Sequence, residues 1–382
     1  MSKNASTDTN KWSKRKSIKW DHYAPDVLPA WVAEMDFPLA EPIQERLRTI
    51  IDNSDSGYPS LKLDETLREA FSLRMQEKFN WTPKDLPLIY FQDAVQAIFH
   101  AVECFTQPGE TLLTLTPIYP PFLEVGDILD RPCIELALKE VDNRYEIPWE
   151  DLKTAAKNAH MLLLCNPHNP TGRVFSKDEL ENITKIALQN DLLILSDEIH
   201  AELIYAGNKH IPTASLSPEV EAQTVTLTSA TKAFNLGGFR CALMAFGSQE
   251  HQNAFALRPW QMRGGLNIFG IQATLAAWQA GDPWLKNTLE LLDQNRHRVK
   301  NYIQENIPKV RTHLPEATYL AWLDCRGLEL QEEPAEYFLR KGKVALSSGH
   351  LFGKAGKGFA RLNFATNPET LNEILRRIEL SI

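Results

Sequence analysis

Cysteine is scarce and badly placed for cross-linking. Cys104, Cys133, Cys165, Cys241 and Cys325 are odd in number, widely spaced and without a C-x-x-C pair, which excludes a disulfide framework and a thiol-redox motif. They read as reduced core residues, Cys133, Cys165 and Cys241 standing in or beside apolar runs. No run of about eighteen apolar residues exists, and the first twenty residues are polar, so the chain is expected to be cytoplasmic with no membrane partner. The ten histidines show no H-E-x-x-H or paired-cysteine spacing, which leaves a catalytic metal unsupported. A G-x-S-x-G elbow is missing, and with it the usual serine-hydrolase signal. Gly349 to Lys354 falls one residue short of a phosphate loop and lacks the Ser or Thr that should follow, so it reads as a mobile glycine-rich loop near a substrate mouth. A net charge of -8 provides no basic field for nucleic acid; the Lys11 to Lys16 cluster is expected to be a mobile solvated arm.

What remains is an ordinary globular composition, 43% hydrophobic and 24% charged, in a 382-residue chain long enough for two domains. Short apolar runs at Leu88 to Phe91, Thr111 to Thr116, Cys133 to Leu138, Met161 to Cys165, Leu192 to Ser196, Val225 to Thr228 and Cys241 to Phe246 read as strands. Between them, Ala94 to Phe105 and Lys177 to Asn190 carry helical spacing, and the alternation predicts an α/β fold with a mainly parallel sheet flanked by helices. After Asn267 a long helical pattern breaks at Gly281-Asp282-Pro283 and leads into a smaller α/β region ending in Leu371 to Leu380. The expected division is a large domain over residues 43–268 and a small one formed by 1–42 with 269–382.

The chemistry concentrates in Thr228-Ser229-Ala230-Thr231-Lys232, with Arg240 eight residues beyond the lysine. Hydroxyls and a guanidinium suit phosphate oxygens, while a partly desolvated lysine near fixed positive charge keeps its amine form, as Schiff-base chemistry with an aldehyde requires. Lys232 is therefore the candidate for covalent attachment of pyridoxal phosphate. Asn169 lies in a Pro/Gly-punctuated loop after one predicted strand and Asp197 directly after another, which delivers an amide and a carboxylate to the carboxyl edge of the sheet. A carboxylate there can keep a pyridine nitrogen protonated.

The ordered set Asn169-Pro170-Thr171-Gly172, Asp197, Ser229-x-Thr231-Lys232 and Arg240 resembles the class I/II aminotransferase superfamily of fold type I over nearly the whole chain. Pro29-Ala30-Trp31-Val32-Ala33-Glu34-Met35-Asp36-Phe37, Gly57-Tyr58-Pro59, Thr116 to Phe122, Thr318 to Asp324 and Ala360 to Phe364 resemble its MalY/PatB-type cystathionine β-lyase branch. The resemblance implies that Tyr119 stacks on the cofactor ring, Asn169 bonds its phenolic oxygen, and Ser229, Thr231 and Arg240 hold its phosphate. It further implies that Tyr58 reaches the phosphate from a neighbouring subunit, making a homodimer with shared sites. Arg361 would take the substrate carboxylate, the backbone near Ala33 would close over it, and the N-terminal segment through about Pro42 would pack on the small domain. Trp31, Tyr319 and Trp322 are either pocket lining or core. His200 stands where many aminotransferases carry tyrosine, and is either a cofactor contact or a residue one layer behind it. At the helix after Phe91 only the backbone N–H groups of Ala94 and Val95 are available to a phosphate, with Asp93 expected as the helix cap. The implied activity is β-elimination from cystathionine or another cysteine S-conjugate. The alternatives are an aminotransferase with the same Lys-Asp-Asn-Arg set and, against the intact Lys232, a binding or regulatory protein on this fold.

Overall fold

A computed structural model describes residues 12, 14–142 and 144–382. In chain order the strands are β1 (Leu28–Pro29), β2 (Ile89–Phe91), β3 (Leu112–Thr116), β4 (Cys133–Ala137), β5 (Lys139–Val141), β6 (Arg144–Glu146), β7 (Met161–Cys165), β8 (Leu193–Asp197), β9 (Thr224–Thr228), β10 (Ala242–Phe246), β11 (Leu320–Asp324), β12 (Val344–Ala345), β13 (Ser347–Ser348) and β14 (Phe359–Asn363). Seven of them form one sheet in the order β2-β10-β9-β8-β7-β3-β4. The pairs from β4 to β9 are parallel, and β10 runs antiparallel to both of its neighbours. Strands β3, β7, β8, β9 and β10 are buried along their whole length, which is why they read as continuous apolar runs and not as alternation.

This order decides where a ligand can sit. From β3 the chain steps outward to β4 and then returns past it to β7, β8 and β9, so the direction of winding reverses between β3 and β7 and opens a crevice at their carboxyl ends. The ends of β3, β7, β8 and β9 all face that edge. Because β10 is antiparallel, its first residues face it too, and β2, antiparallel to β10, delivers the following helix Ala94–Phe105 there by its N-terminus.

Helices cap the layers for local reasons. Asp93 accepts from the Gln96 N–H to start Ala94–Phe105, and Ser176 with Glu179 forms a reciprocal capping box on Lys177–Gln189. The helical pattern after Asn267 splits where expected, into Ile268–Ala280 and Asp282–Asn306 with Gly281 between them. Beyond it β11, β14 and β13 form an antiparallel sheet backed by Pro368–Leu380. The segment after β1 joins this second sheet: β1 pairs in parallel with β12, Asn363 N–H donates to the Ala30 carbonyl, and Asp36 N–H donates to that of Ala365.

Three expectations need correction. Arg15 is not part of a loose arm, because its guanidinium covers the Trp12 ring at 4.0 Å and donates to the carbonyls of Met35 and Phe37; Lys11 and Ser13 of that cluster lie outside the described residues. The Gly349 to Lys354 stretch is not a loose loop but two tight turns, with Gly349 and Phe352 buried. All five cysteines are free, yet Cys104 and Cys133 are only half-buried, since helix and edge-strand positions leave one side open.

Candidate active site

A cavity of about 420 Å³ lies at the crevice between the two sheets. Thirteen residues around it matter chemically or sterically: Trp31, Ala33, Ala94, Val95, Tyr119, Asn169, Asp197, His200, Thr231, Lys232, Arg240, Ser347 and Arg361. They come from seven sequence regions, and the order of the seven-stranded sheet together with the packing of the second sheet and the Trp31 to Phe37 segment against it brings them together.

Lys232 follows β9 on a turn, and its Nζ donates to the carbonyl of Ala33 at 3.1 Å. Burial, with help from the charge of Arg361, lowers its pKa to about 8, against the opposing pull of Asp197, Glu34 and Asp93. A reactive amine is therefore available close to neutrality. Asp197 ends β8, where its Oδ1 accepts from the Ile199 N–H at 3.1 Å; burial raises its pKa to about 6. An anion held at such cost is well matched to a cationic ring nitrogen on a ligand. His200 is buried, and burial reinforced by the charges of Lys232 and Arg361 drives its pKa well below the usual value, so the ring is neutral.

Arg361 projects from β14. Its Nη1 donates to Asn169 Oδ1 at 2.9 Å, and its Nη2 donates to the Trp31 carbonyl at 3.0 Å and to Ser347 Oγ at 3.1 Å. Nε of Arg361 and Nδ1 of His200 are buried and have no hydrogen-bond partner among the described residues. Unpaired buried polar atoms of this kind are costly unless a ligand meets them. On the same cavity, Thr231, Arg240 and the helix start at Ala94 and Val95 offer a hydroxyl, a guanidinium and a helix N-terminus suited to an anion.

Some predicted residues are not on the cavity. Ser229 Oγ donates to the Cys241 carbonyl at 2.6 Å and lies 2.8 Å from Thr231 Oγ1, so it braces Thr231 from behind instead of facing the space. Tyr319 is buried behind the Ala33 peptide, to whose carbonyl its hydroxyl donates at 2.9 Å. Trp322 is core, stacked on Phe359 at 5.1 Å, because β11 turns it away from the crevice. Tyr58 is fully exposed at 102% and is not among the residues lining its own chain's cavity.

Other residues were not anticipated. Ser347 Oγ donates to the Trp31 carbonyl at 2.8 Å while accepting from Arg361. Asn363 Nδ2 donates to the carbonyls of Val32 and Glu34, and Lys19 Nζ donates to the Glu34 carbonyl and pairs with Asp36 at 2.8 Å. Consequently the carbonyls of Trp31, Val32, Ala33, Glu34 and Met35 are all held by side chains, with Asn235 and Arg15 serving Met35. Behind Asp197, Glu198 accepts from Ser196, Thr213 and His210 in a buried network. None of these had a local signal, since each depends on a partner distant in sequence or on burial.

The Aminotransferase class I and II family matches residues 32–378. The chain belongs to this family. It is similar to cystathionine beta-lyase PatB of Bacillus subtilis, 34% identical with 96% of this chain and 97% of that one covered. Similarity to the cystathionine beta-lyase of Corynebacterium glutamicum is also 34%, over 95% and 96% of the two chains. Among solved structures, cystalysin from Treponema denticola, which contains a pyridoxal 5'-phosphate cofactor, superposes with a TM-score of 0.93 at 30% identity, covering 99% of this chain and 98% of that one. The architecture is thus the fold type I, pyridoxal-phosphate-dependent transferase one that the sequence resembles.

Proposed function

We propose that the protein is a pyridoxal-phosphate-dependent carbon-sulfur β-lyase acting on L-cystathionine or a related cysteine S-conjugate. The observation that carries this is the placement of Lys232, Asp197 and Arg361 on one cavity, in a chain similar over nearly its full length to proteins named cystathionine beta-lyase. The residues present fit the cofactor: an amine for its aldehyde, a buried carboxylate for its ring nitrogen, and an arginine with a helix start for its phosphate. When bound, the cofactor supplies an electron sink beside the amino acid's α-carbon.

Around it this chain's residues divide the work. Arg361 binds the substrate carboxylate in a two-pronged contact, assisted by the backbone at Trp31 to Ala33. Tyr119 and Asn169 fix the orientation of the ring, and Asp197 keeps its nitrogen protonated. Lys232 takes the α-proton as general base. The bond from the β-carbon to sulfur then breaks, the thiolate leaves, and hydrolysis of the remaining fragment gives pyruvate and ammonia. Tyr58 serves the phosphate of a neighbouring subunit, which implies a homodimer, and the five free cysteines accord with a cytoplasmic setting. The position of the cavity between the two sheets supports a cofactor-binding domain of residues 43–268 and a small domain of residues 1–42 and 269–382.

The test is to incubate the cofactor-loaded protein with L-cystathionine and no oxo-acid while following pyruvate and free thiol together. Catalytic release of both is expected, and Lys232→Ala should reduce it by about 10²–10⁴-fold or more. Amino transfer that appears only on adding an oxo-acid would move the assignment to the aminotransferase side of the family.

A further inference from the structure

Asp93 stands in the anion-binding end of the cavity, and its carboxylate already uses the groups that an incoming phosphate needs. Its Oδ1 accepts from the Gln96 N–H at 2.9 Å and so caps the helix whose start, at Ala94 and Val95, opens onto the cavity. Its Oδ2 pairs with Nη1 of Arg240. Arg240 is fixed for this by a left-handed backbone, φ 53°, at the end of the Gly237–Phe239 turn. Both side chains remain about half-exposed toward the cavity, so the pair can open without unpacking the core.

A phosphate ester carries roughly -1.5 to -2 charges near neutrality. Brought beside Ala94, Val95, Thr231 and Arg240, it meets a carboxylate of the same sign that is attached to one of those donors, Arg240, and caps the same helix start at Gln96. In the geometry seen here Nη1 of Arg240 is taken by the Asp93 carboxylate, so a phosphate that needs that donor must displace it. We propose that Asp93 is an internal competitor for the cofactor phosphate: it holds Arg240 and the helix start while the cofactor is away, must be displaced when the phosphate enters, and thereby sets how tightly the cofactor is retained. This rests on the pyridoxal phosphate reading of the cavity. The enzyme is then one that exchanges its cofactor readily, with the ion pair as the device that preserves the empty phosphate pocket.

The experiment titrates the cofactor-free protein with pyridoxal phosphate and, separately, with pyridoxal, following the change in absorbance of the bound ring, for the native chain, Asp93→Asn and Asp93→Ser. Asparagine and serine both keep a helix cap, so the substitutions remove the charge without removing the cap. Binding of pyridoxal phosphate is expected to tighten on the order of tenfold to a hundredfold in both variants. Pyridoxal, which lacks the phosphate, should change little, and the gain should shrink at high salt as the charge is screened. Inorganic phosphate should raise the melting temperature of cofactor-free Asp93→Asn at lower concentrations than it does for the native chain. Equal or weaker binding of pyridoxal phosphate by both variants, with pyridoxal unchanged, would overturn the proposal and leave Asp93 as a cap alone. A native chain that binds neither compound saturably would overturn it together with the cofactor reading, whereas failure to release pyruvate from cystathionine would leave the affinity comparison intact.

Discussion

At Lys232, four neighbouring charges and burial act on a single amine, and their signs can be separated. Burial lowers the pKa first, the charge of Arg361 lowers it further, and the carboxylate of Asp197 raises it, with the balance at about 8. The amine form therefore grows as pH rises through about 8, where an ordinary lysine is still fully protonated. The rate at which an amine-selective acylating reagent labels Lys232 in the cofactor-free protein, read by mass spectrometry against pH, should show that midpoint. Arg361→Met removes a repelling cation and should move the midpoint upward; Asp197→Asn removes an attracting anion and should move it downward. Shifts in the same direction in both variants would mean that repacking, not charge, governs the amine. The same balance accounts for the neutral His200, which is buried beside two cations.

At the scale of elements, the segment Trp31 to Phe37 has almost no secondary structure, yet it forms one wall of the cavity and holds its shape through side chains from five other regions. Lys19 and Asp36 anchor it with a pair in which each side chain is only 1% exposed, Trp20 Nε1 completing the carboxylate at 2.7 Å. Removing one partner leaves a buried charge, which costs about 3–5 kcal/mol, whereas replacing both by apolar residues is often close to neutral. Lys19→Met should thus lower the urea midpoint strongly and raise KM more than it lowers kcat, because the Trp31 to Ala33 wall beside Arg361 loosens. Lys19→Met with Asp36→Leu should regain much of the lost stability. Equal stability of the single variant and the native chain would show that the pair does not anchor the wall. The contrast with the sheet explains what the sequence could reveal. Strands β3, β7 and β9 lie within a residue of their predicted limits, because full burial on both faces writes itself as a local apolar run. The Asp197 position was legible for the same reason, being the residue just past such a run, and Lys232 through the hydroxyls and the arginine around it. Asn235, Ser347 and Asn363 were not, because a polar residue that holds a backbone carbonyl some hundreds of positions away has no periodicity to betray it, and Lys19 was not, because its burial is set by the fold of the segment it anchors.

At the scale of the whole molecule, Tyr58 is the residue that one chain cannot explain. It is 102% exposed, Leu61 close by is 85% exposed, and both sit on a surface where an isolated chain would have no use for large apolar groups. The family resemblance implies that Tyr58 serves the phosphate of a neighbouring subunit, and Tyr58 does not line the cavity of its own chain; both hold if it serves a second copy. A phenol reaching a phosphate is a hydrogen bond to a charged group, worth about 1.5–3 kcal/mol. Tyr58→Phe should therefore weaken pyridoxal phosphate binding by a corresponding factor, without affecting pyridoxal. The decisive arrangement mixes two damaged chains, Lys232→Ala and Tyr58→Ala, under conditions in which subunits exchange. If one chain's tyrosine completes the other's lysine site, each mixed dimer contains one site with both defects and one with neither. Lyase activity should then appear in the mixture well above the sum of the separate variants. Confirmed mixed dimers with no gain in activity would place Tyr58 outside the partner's site, and its exposure would then require another surface to cover it.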